Sequence, residues 1–389
     1  MTKFLDVLKK NAMLIVLVLV YIFFTVMTKG QMFQPLQFNA LITQNAYVYI
    51  LGTGMLMCML TGGNIDLSCG SVVCFLGAIG GVLMVTKGMS PAVTIIAMLV
   101  VGIIYGCVLG YLIAYVDVPP WIATLSGYLA FRGLATKILS DNSTTGSIAP
   151  FPDTFLKLFS GKIFMSKMGT LNKPCVIIGI IACVIVVFIN FSTRAKKIKK
   201  GYEADSLVSV IVKSVLSVAA ILLFALKFAK AGGIPVTLVW VAVVVLIYDF
   251  ITRKTVLGRY FYTIGGNREA TRLSGIDTKR IMFLAYLNMA FITVISSYIV
   301  VARFQAANAF SGTYYEMDAI AACVVGGVSA YGGEGNVFGM VVGATLIGVI
   351  NLGMSLMQID ADWQKVVKGL VLLFAVVFDI ISKKNEKIK

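Results

Sequence analysis

Long apolar stretches, separated by short polar or charged turns, run through the chain from residue 11 to residue 381. A helix needs about 20 apolar residues to cross the hydrocarbon core of a bilayer. The pattern predicts an all-α polytopic membrane protein with about 12 transmembrane segments, in a range of 10 to 12. The predicted segments are Asn11–Met27, Asn45–Thr61, Ser71–Thr86, Pro91–Val116, Pro120–Lys137, Cys175–Phe191, Leu207–Leu226, Ile234–Ile251, Ile281–Val301, Met317–Ala330, Val337–Met357 and Val366–Ile381.

Two of these segments are unusual. Met317–Ala330 is short and rich in small residues, so a re-entrant or broken helix explains it as well as a complete crossing does. Pro120–Lys137 contains Arg132. An ionised side chain inside a span is expensive in lipid, so we expect Arg132 to face a carboxylate, a carbonyl or water.

Composition argues against a soluble enzyme. The 389 residues are 59% hydrophobic and 13% charged, whereas soluble proteins are about 45–50% apolar and about 25% charged. The chain has no histidine and its seven cysteines form no CxxC pair. Triads that use histidine, imidazole metal sites and disulfide frameworks are therefore not predicted. We expect no cofactor and no metal in this chain.

The net charge of +16 indicates orientation and not nucleic-acid binding, because the basic residues lie between apolar stretches. With the N-terminus inside, 19 of the 33 basic residues fall on the inner side. The positive-inside rule then places the N- and C-termini in the cytoplasm, with loop 252–280 inside and loop 140–173 outside. No linker separates a second domain, so residues 1–389 are predicted to form one membrane domain.

The inner loop carries the most informative motif. Gly265, Gly266 and Asn267 predict a break in the chain, after which Glu269 begins a short helix with an acid near its positive end. Gly275 is the predicted C-cap of this helix. A short amphipathic helix of this kind can lie on the membrane surface and insert into a groove of a partner. The alternative is a basic surface loop that only orients the protein.

Four blocks of sequence carry a family resemblance. Glu269, Ala270, Thr271 and Gly275 reproduce E-A-A-x-x-x-G with threonine at the second alanine, which resembles the coupling-helix motif of bacterial ATP-binding-cassette (ABC) importer permeases. All four blocks, in order, resemble the ribose/xylose/galactose-type sugar permeases of this class, from about Thr43 to Ile381. The blocks are TGGNIDLSCGS, VPPWIATLSGYLAFRGLA, LGRYFYTIGGNREATRLSGI and YEMDAIAACVVGGVSAYGGEGNVFGMVVGATLIGVINLGM.

The chain departs from the shorter ribose-type members in two places. Residues 175–251 hold three predicted spans where those members have one, and this extra helix pair resembles the longer xylose and multiple-monosaccharide permeases. Asn64 stands between the second glycine and the isoleucine, where the family more often has an uninterrupted Gly-Gly-Ile-Asp.

The resemblance implies the permease subunit of an ATP-driven monosaccharide importer in the bacterial cytoplasmic membrane. Two permease copies, in contact with membrane lipid, would form the pathway, and a separate extracytoplasmic binding protein would deliver the sugar. A separate cytoplasmic ATPase would hold ATP and Mg²⁺, which fits the absence of a G-x-x-x-x-G-K-[ST] motif from the sequence. The chain itself is then not an enzyme. The residues expected to couple it to the ATPase are Gly265, Gly266, Asn267, Glu269, Ala270, Arg272 and Gly275.

Polar residues in or beside the spans are the candidates for lining the pathway. They are Asn45, Asn64, Asp66, Ser68, Asn288, Asn308, Glu316 and Asp318. Each also has a structural interpretation. Asp66 suits the cap of a helix that begins near Leu67, and Glu316 and Asp318 suit the first turn of another.

A secondary transporter or channel for small polar solutes is the alternative function. It predicts several ionisable groups deep in the spans for ion coupling, and here deep acids are few. In importers of the family that this chain resembles, specificity is set largely by the binding protein, so a pentose, a hexose, several monosaccharides and even a nucleoside all stay open as the substrate.

Overall fold

A computed structural model describes residues 12–165, 169–202 and 206–387. Lys3, Lys9, Lys10 and Lys389, which support the predicted orientation of the termini, lie outside these ranges. The described residues form sixteen α-helices. They are α1 (Ala12–Met27), α2 (Pro35–Gln44), α3 (Ala46–Leu60), α4 (Cys69–Gly81), α5 (Pro91–Ala114), α6 (Pro120–Asn142), α7 (Asp153–Ser160), α8 (Lys173–Lys199), α9 (Leu207–Lys230), α10 (Val236–Lys254), α11 (Val256–Gly266), α12 (Arg268–Leu273), α13 (Thr278–Phe304), α14 (Tyr315–Val325), α15 (Val337–Leu356) and α16 (Ala361–Lys387).

Strands are minor. β1 (Ser147–Ile148) pairs antiparallel with β4 (Ala307–Asn308), and β2 (Lys162–Ile163) pairs with β3 (Ile234–Pro235). A 3₁₀ turn covers Gln31–Phe33, and a π-helical turn, Val82–Thr86, extends α4.

The prediction of an all-α polytopic membrane protein is confirmed. Within the described ranges, seven helices are long and apolar enough to cross a membrane: α4 with its π-helical turn, α5, α8, α9, α10, α13 and α15. The other five predicted segments also correspond to helices, but those are shorter or less apolar. The count of about twelve therefore stays a prediction.

The chain divides into two compact units. Phe33–Ala40 and Gly161–Val236 form the smaller unit, and the rest of the described chain forms the larger one. In the smaller unit, the predicted extra helices α8 and α9 pack side by side, and Asn190 Nδ2 donates to Ser214 Oγ at 3.1 Å. That residues 1–389 form one membrane domain, as the sequence predicts, stays a prediction.

In the larger unit, α13 is the central helix and packs against α3 and α5. The face of α5 that meets α13 carries Gly102, Gly106 and Gly110, which a spacing of four residues places on one side of the helix. Small residues at such positions allow two helices to approach closely within a membrane. Every residue of α3 is buried, as expected for a helix that is apolar all round.

The two ends of the larger unit differ in which loops they join. At one end, the loop after α5 meets the start of α13, where Lys279 Nζ lies 3.2 Å from Asp117 Oδ2. At the other end, β1 pairs with β4 beside Gly81. The 24 residues of α5 separate these ends by about 36 Å at 1.5 Å per residue. We call the end with Asp117 the inner end and the other the outer end, following the sequence-based orientation.

The segment predicted at Met317–Ala330 is broken. α14 has only 11 residues and covers about 16 Å, roughly half of a hydrocarbon core. The chain from Tyr315 to Gly333 runs beside α3, from the stacked rings of Tyr47 and Tyr315 to a hydrogen bond between Gly333 N and the Leu60 carbonyl. The chain therefore passes from the outer to the inner end as a short helix followed by an irregular stretch, which favours the broken-helix interpretation.

The close contact of α5 with α13 can be tested at Gly106. A methyl group there would lie 2.5 Å from Ala290 Cβ, whereas one at Gly133 in α6 would have no neighbour within 4 Å. Overpacking of a buried contact typically destabilises by about 1–3 kcal/mol. We expect Gly106→Ala to lower the melting temperature of the detergent-solubilised protein and Gly133→Ala to leave it unchanged or raise it. Equal melting temperatures for the two variants would contradict this packing.

Candidate functional site

The short helix α12 begins and ends as its sequence predicts. Asn267 is the N-cap, and its Oδ1 accepts a hydrogen bond from Ala270 N at 2.9 Å. At the other end Gly275 has φ +86° and donates to the Arg272 carbonyl, while Ile276 N donates to the Thr271 carbonyl. This pair of bonds is a Schellman motif, which confirms Gly275 as the C-cap glycine.

α12 presents a charged and apolar surface to solvent. Arg272 Nη2 lies 2.5 Å from Glu269 Oε1, and this guanidinium holds the pKa of Glu269 below its ordinary value. Leu273 is 76% exposed at the end of the helix, while Thr271 is buried against the protein. A helix fixed on one side and exposed on the other can dock with a partner through an apolar contact flanked by an ion pair.

A cleft of about 380 Å³ lies beside this helix at the inner end. Its walls include Gly265 and Gly266 from the end of α11, Asn64 from the loop after α3, and Asp117 with Pro119 from the loop after α5. The predicted coupling loop therefore borders the loops that leave α3 and α5.

Asp66 and Ser68 lie deeper in the bundle. Asp66 is buried, and its Oδ1 accepts hydrogen bonds from Ser68 N at 2.8 Å and from the Ser68 hydroxyl. The hydroxyl also hydrogen bonds to Tyr105 OH, nine residues before the end of α5 and so about 14 Å from that end. α4 begins at Cys69 with Ser68 as its N-cap, two residues after the start near Leu67 that would have made Asp66 the cap. Asp66 instead stabilises the turn before the helix.

At the outer end, Asp318 is the centre of a buried polar cluster. It accepts a hydrogen bond from Tyr47 OH at 2.5 Å and pairs with Lys368 Nζ at 3.0 Å. Lys368 also borders a polar cavity of about 210 Å³, which Asn45 and Arg303 line as well. Asn45 Nδ2 donates to the Ala344 carbonyl at 2.6 Å.

Glu316 and Asn308 belong to a second polar cluster near the outer end. Arg132 Nη1 donates to the carbonyls of Ala309 at 3.2 Å and Ser311 at 2.9 Å, which confirms that Arg132 faces carbonyl oxygens. Asn308 Oδ1 accepts from Ser311 N and so folds the same loop. Glu316 is buried in the first turn of α14, and its Oε2 makes no hydrogen bond within the described residues.

The remaining candidate, Asn288, lies apart from both clusters. Its Oδ1 accepts a hydrogen bond from Tyr248 OH between α13 and α10. Six candidate residues thus share polar clusters in pairs, namely Asp66 with Ser68, Asn45 with Asp318, and Asn308 with Glu316, whereas Asn64 and Asn288 lie elsewhere. The eight candidates therefore lie at several levels of the bundle.

Several residues of these clusters were missed by sequence reasoning. Tyr47, Tyr315, Arg303 and Lys368 contribute to the outer cluster through contacts between distant parts of the chain. Charged or aromatic residues near the ends of apolar segments are typical of membrane interfaces, so their sequence positions gave no separate signal. No group of acidic or cysteine residues able to hold a metal is found in the described part of the chain.

A bundle of apolar helices with internal polar clusters and a short exposed helix at one end is typical of a membrane transport permease. Residues 37–376 match the family described as the permease component of branched-chain amino acid transport systems. The chain belongs to this family, whose members are transport components and not enzymes. It is a multi-pass protein of the bacterial cytoplasmic membrane.

Curated relatives extend over nearly the whole chain. The xylose transport system permease protein XylH of Haemophilus influenzae is 35% identical over 374 residues, which is 96% of each chain. XylH of Escherichia coli K12 is 32% identical over 96% of this chain and 92% of its own length. The ribose import permease protein RbsC of Haemophilus influenzae is 28% identical over 87% of this chain and 83% of its own. No solved structure matches this chain.

The ion pair between buried Asp318 and half-buried Lys368 can be tested by removing its cation. Lys368→Met leaves the buried Asp318 carboxylate with Tyr47 as its remaining side-chain partner among the described residues. Breaking a fully buried pair typically costs about 3–5 kcal/mol, and the 28% exposure of the Lys368 side chain makes the expected loss smaller. We expect a lower melting temperature in detergent, with much of the loss recovered in the double variant Asp318→Asn/Lys368→Met. A single variant as stable as the unsubstituted protein would show that the pair does not stabilise the fold.

Proposed function

We propose that this protein is the permease subunit of an ATP-driven monosaccharide importer. The observation that carries the proposal is the exposed, doubly capped helix α12 in a chain whose relatives are named as xylose and ribose permeases. Pentoses are therefore the first substrates to test. The polar clusters at Asp66 and Asp318 offer hydroxyl, amide and carboxylate groups, which suit brief hydrogen bonding to sugar hydroxyls.

In this proposal α12 is the coupling helix. Leu273 inserts into a groove of a cytoplasmic ATPase, and Glu269 and Arg272 fix the helix at the rim of that groove. Asn267 and Gly275 keep the helix short and rigid, so movement of the ATPase displaces it as one body. Ala270 lets the docked surfaces approach closely, and Gly265 and Gly266 connect the helix to α11.

The partners follow from the same proposal. The ATPase binds ATP and Mg²⁺, so the chemistry of hydrolysis is absent from the permease itself. A second copy of the permease completes the pathway, and an extracytoplasmic binding protein delivers the sugar at the outer end. About twelve segments cross the membrane, counting the broken crossing through α14, and both termini are cytoplasmic.

Charge reversal at Glu269 tests the coupling role. We expect Glu269→Lys to lower sugar-stimulated ATP hydrolysis by the reconstituted complex at least tenfold, because the rim contact becomes repulsive, while membrane insertion is unchanged. Asp141→Lys is the matched control, since Asp141 forms a similar exposed helical ion pair with Lys137 at 2.5 Å, on the outward side of the proposed topology. Full stimulation in Glu269→Lys, or equal losses in both variants, would contradict the coupling role.

The orientation can be tested by cysteine labelling. Phe310 is 86% exposed near the outer end, and Leu273 is exposed near the inner end. Six of the seven native cysteines are buried and Cys107 is half-buried, so the unsubstituted protein provides a low background. A membrane-impermeant thiol reagent should label Phe310→Cys in intact cells and Leu273→Cys only in inverted vesicles. The reverse pattern would overturn the proposed orientation.

A further inference from the structure

Three glycine pairs recur in the sequence, each close before an asparagine. They are Gly62-Gly63-Asn64 after α3, Gly265-Gly266-Asn267 at the end of α11, and Gly332-Gly333 with Gly335-Asn336 between α14 and α15. The second asparagine caps α12, and the third caps α15 through Gly339 N at 2.8 Å. The predicted coupling motif includes only the second pair, so it assigns no role to the first and third pairs.

The three pairs meet at the inner end of the larger unit, and we name this place the glycine junction. Gly333 N donates to the Leu60 carbonyl at 3.1 Å. A methyl group on Gly265 would lie less than 3 Å from both the Leu60 carbonyl and Gly333 N, and one on Gly332 would lie as close to the backbone of Gly62. The contacts are therefore backbone against backbone, with no side chain between them.

A further bond fixes α11 to the third loop. Tyr262 OH donates to the Gly335 carbonyl at 2.8 Å. Gly333 has φ +74° and Gly332 has φ +86°, conformations that side-chain-bearing residues rarely adopt. The loop can hence follow this path only with glycine at these positions.

The junction lies between the docking helix and both interior polar regions. Two residues after Gly265, Asn267 caps α12. From Gly62, the chain leads within six residues to Asp66 and Ser68. From Gly332, it leads back through a short irregular stretch to α14, which carries Glu316 and Asp318.

Close-packed interiors transmit strain because they have no free volume to absorb a displacement. Flexible side chains could yield by changing rotamer, but a contact between backbones cannot. A displacement of α12 and the end of α11 therefore moves the Leu60–Gly63 and Ala330–Gly335 loops with it.

We propose that the glycine junction transmits the movement of α12 to both the Asp66 turn and the broken α14 crossing, and that Gly265 is its central positioning residue. This inference rests on the proposed function, since it requires that α12 is moved by an ATPase. It assigns to the first and third glycine pairs a role in driving the pathway open and closed.

The test compares two helical glycines in the reconstituted complex of permease, ATPase and binding protein. Gly265→Ala inserts a methyl group between Leu60 and Gly333, whereas a methyl group on Gly133 in α6 has no neighbour within 4 Å. Neither glycine has a positive φ, so alanine introduces no backbone strain at either position. The readouts are assembly with the ATPase, basal ATP hydrolysis, and its stimulation by sugar-loaded binding protein.

We expect Gly265→Ala to assemble and to keep basal hydrolysis within twofold, while stimulation and sugar uptake fall at least tenfold. Gly133→Ala should match the unsubstituted complex in every readout. The inference is overturned if Gly265→Ala retains stimulation and uptake, or if both variants lose them equally. If the unsubstituted complex itself shows no stimulated uptake, the proposed function fails, and that outcome is distinct from failure of the junction.

A gentler variant covers the case in which Gly265→Ala does not insert. Tyr262→Phe removes only the hydroxyl that binds the Gly335 carbonyl and adds no volume. We expect an assembled complex whose ratio of stimulated to basal hydrolysis is reduced several-fold. An unchanged ratio in this variant would contradict transmission through the third loop.

Discussion

The structure depends on how irregular backbone is accommodated inside a membrane protein. In hydrocarbon every peptide group needs a hydrogen-bond partner, so non-helical segments are stable only where other parts of the protein cover them. The loop after α3 and the loop after α14 satisfy this condition by meeting each other, and the bond from Gly333 N to the Leu60 carbonyl is the centre of that contact. Because the helix α14 is too short to span the core, irregular backbone completes the crossing. That backbone is stable only in contact with the loop after α3.

The same constraint explains why the interruptions of the helices and the polar groups of the interior occur together. A helix that spans the membrane without interruption exposes no backbone group and moves as a rod. The interrupted crossing of α14 and the turn at Asp66 instead bring polar groups to the interior, where Asp318, Tyr105 and Ser68 find partners. Their inner ends share one contact with α11, so both interruptions are accessible to a force applied at α12.

The sequence predicted local features well and contacts between distant segments poorly. The break at Asn267, the glycine C-cap at Gly275 and the carbonyl partners of Arg132 all follow from residue chemistry within a short window or from the energetic cost of an isolated charge. Asp318 and Lys368 are 50 residues apart, and Tyr47 is 271 residues from Asp318. Apolar periodicity reports which residues are buried but not which buried helices touch, so the eight pathway candidates were predicted as one group and lie at several levels.

The central claim is that ATP hydrolysis by a partner drives a monosaccharide through this permease. The most direct measurement is uptake of a labelled pentose by proteoliposomes that contain the permease, its ATPase and its sugar-binding protein. Uptake should require ATP and all three proteins, and should be unaffected by collapse of the proton and sodium gradients. Uptake by vesicles that contain the permease alone and are energised only by an ion gradient would contradict the claim and identify a secondary transporter.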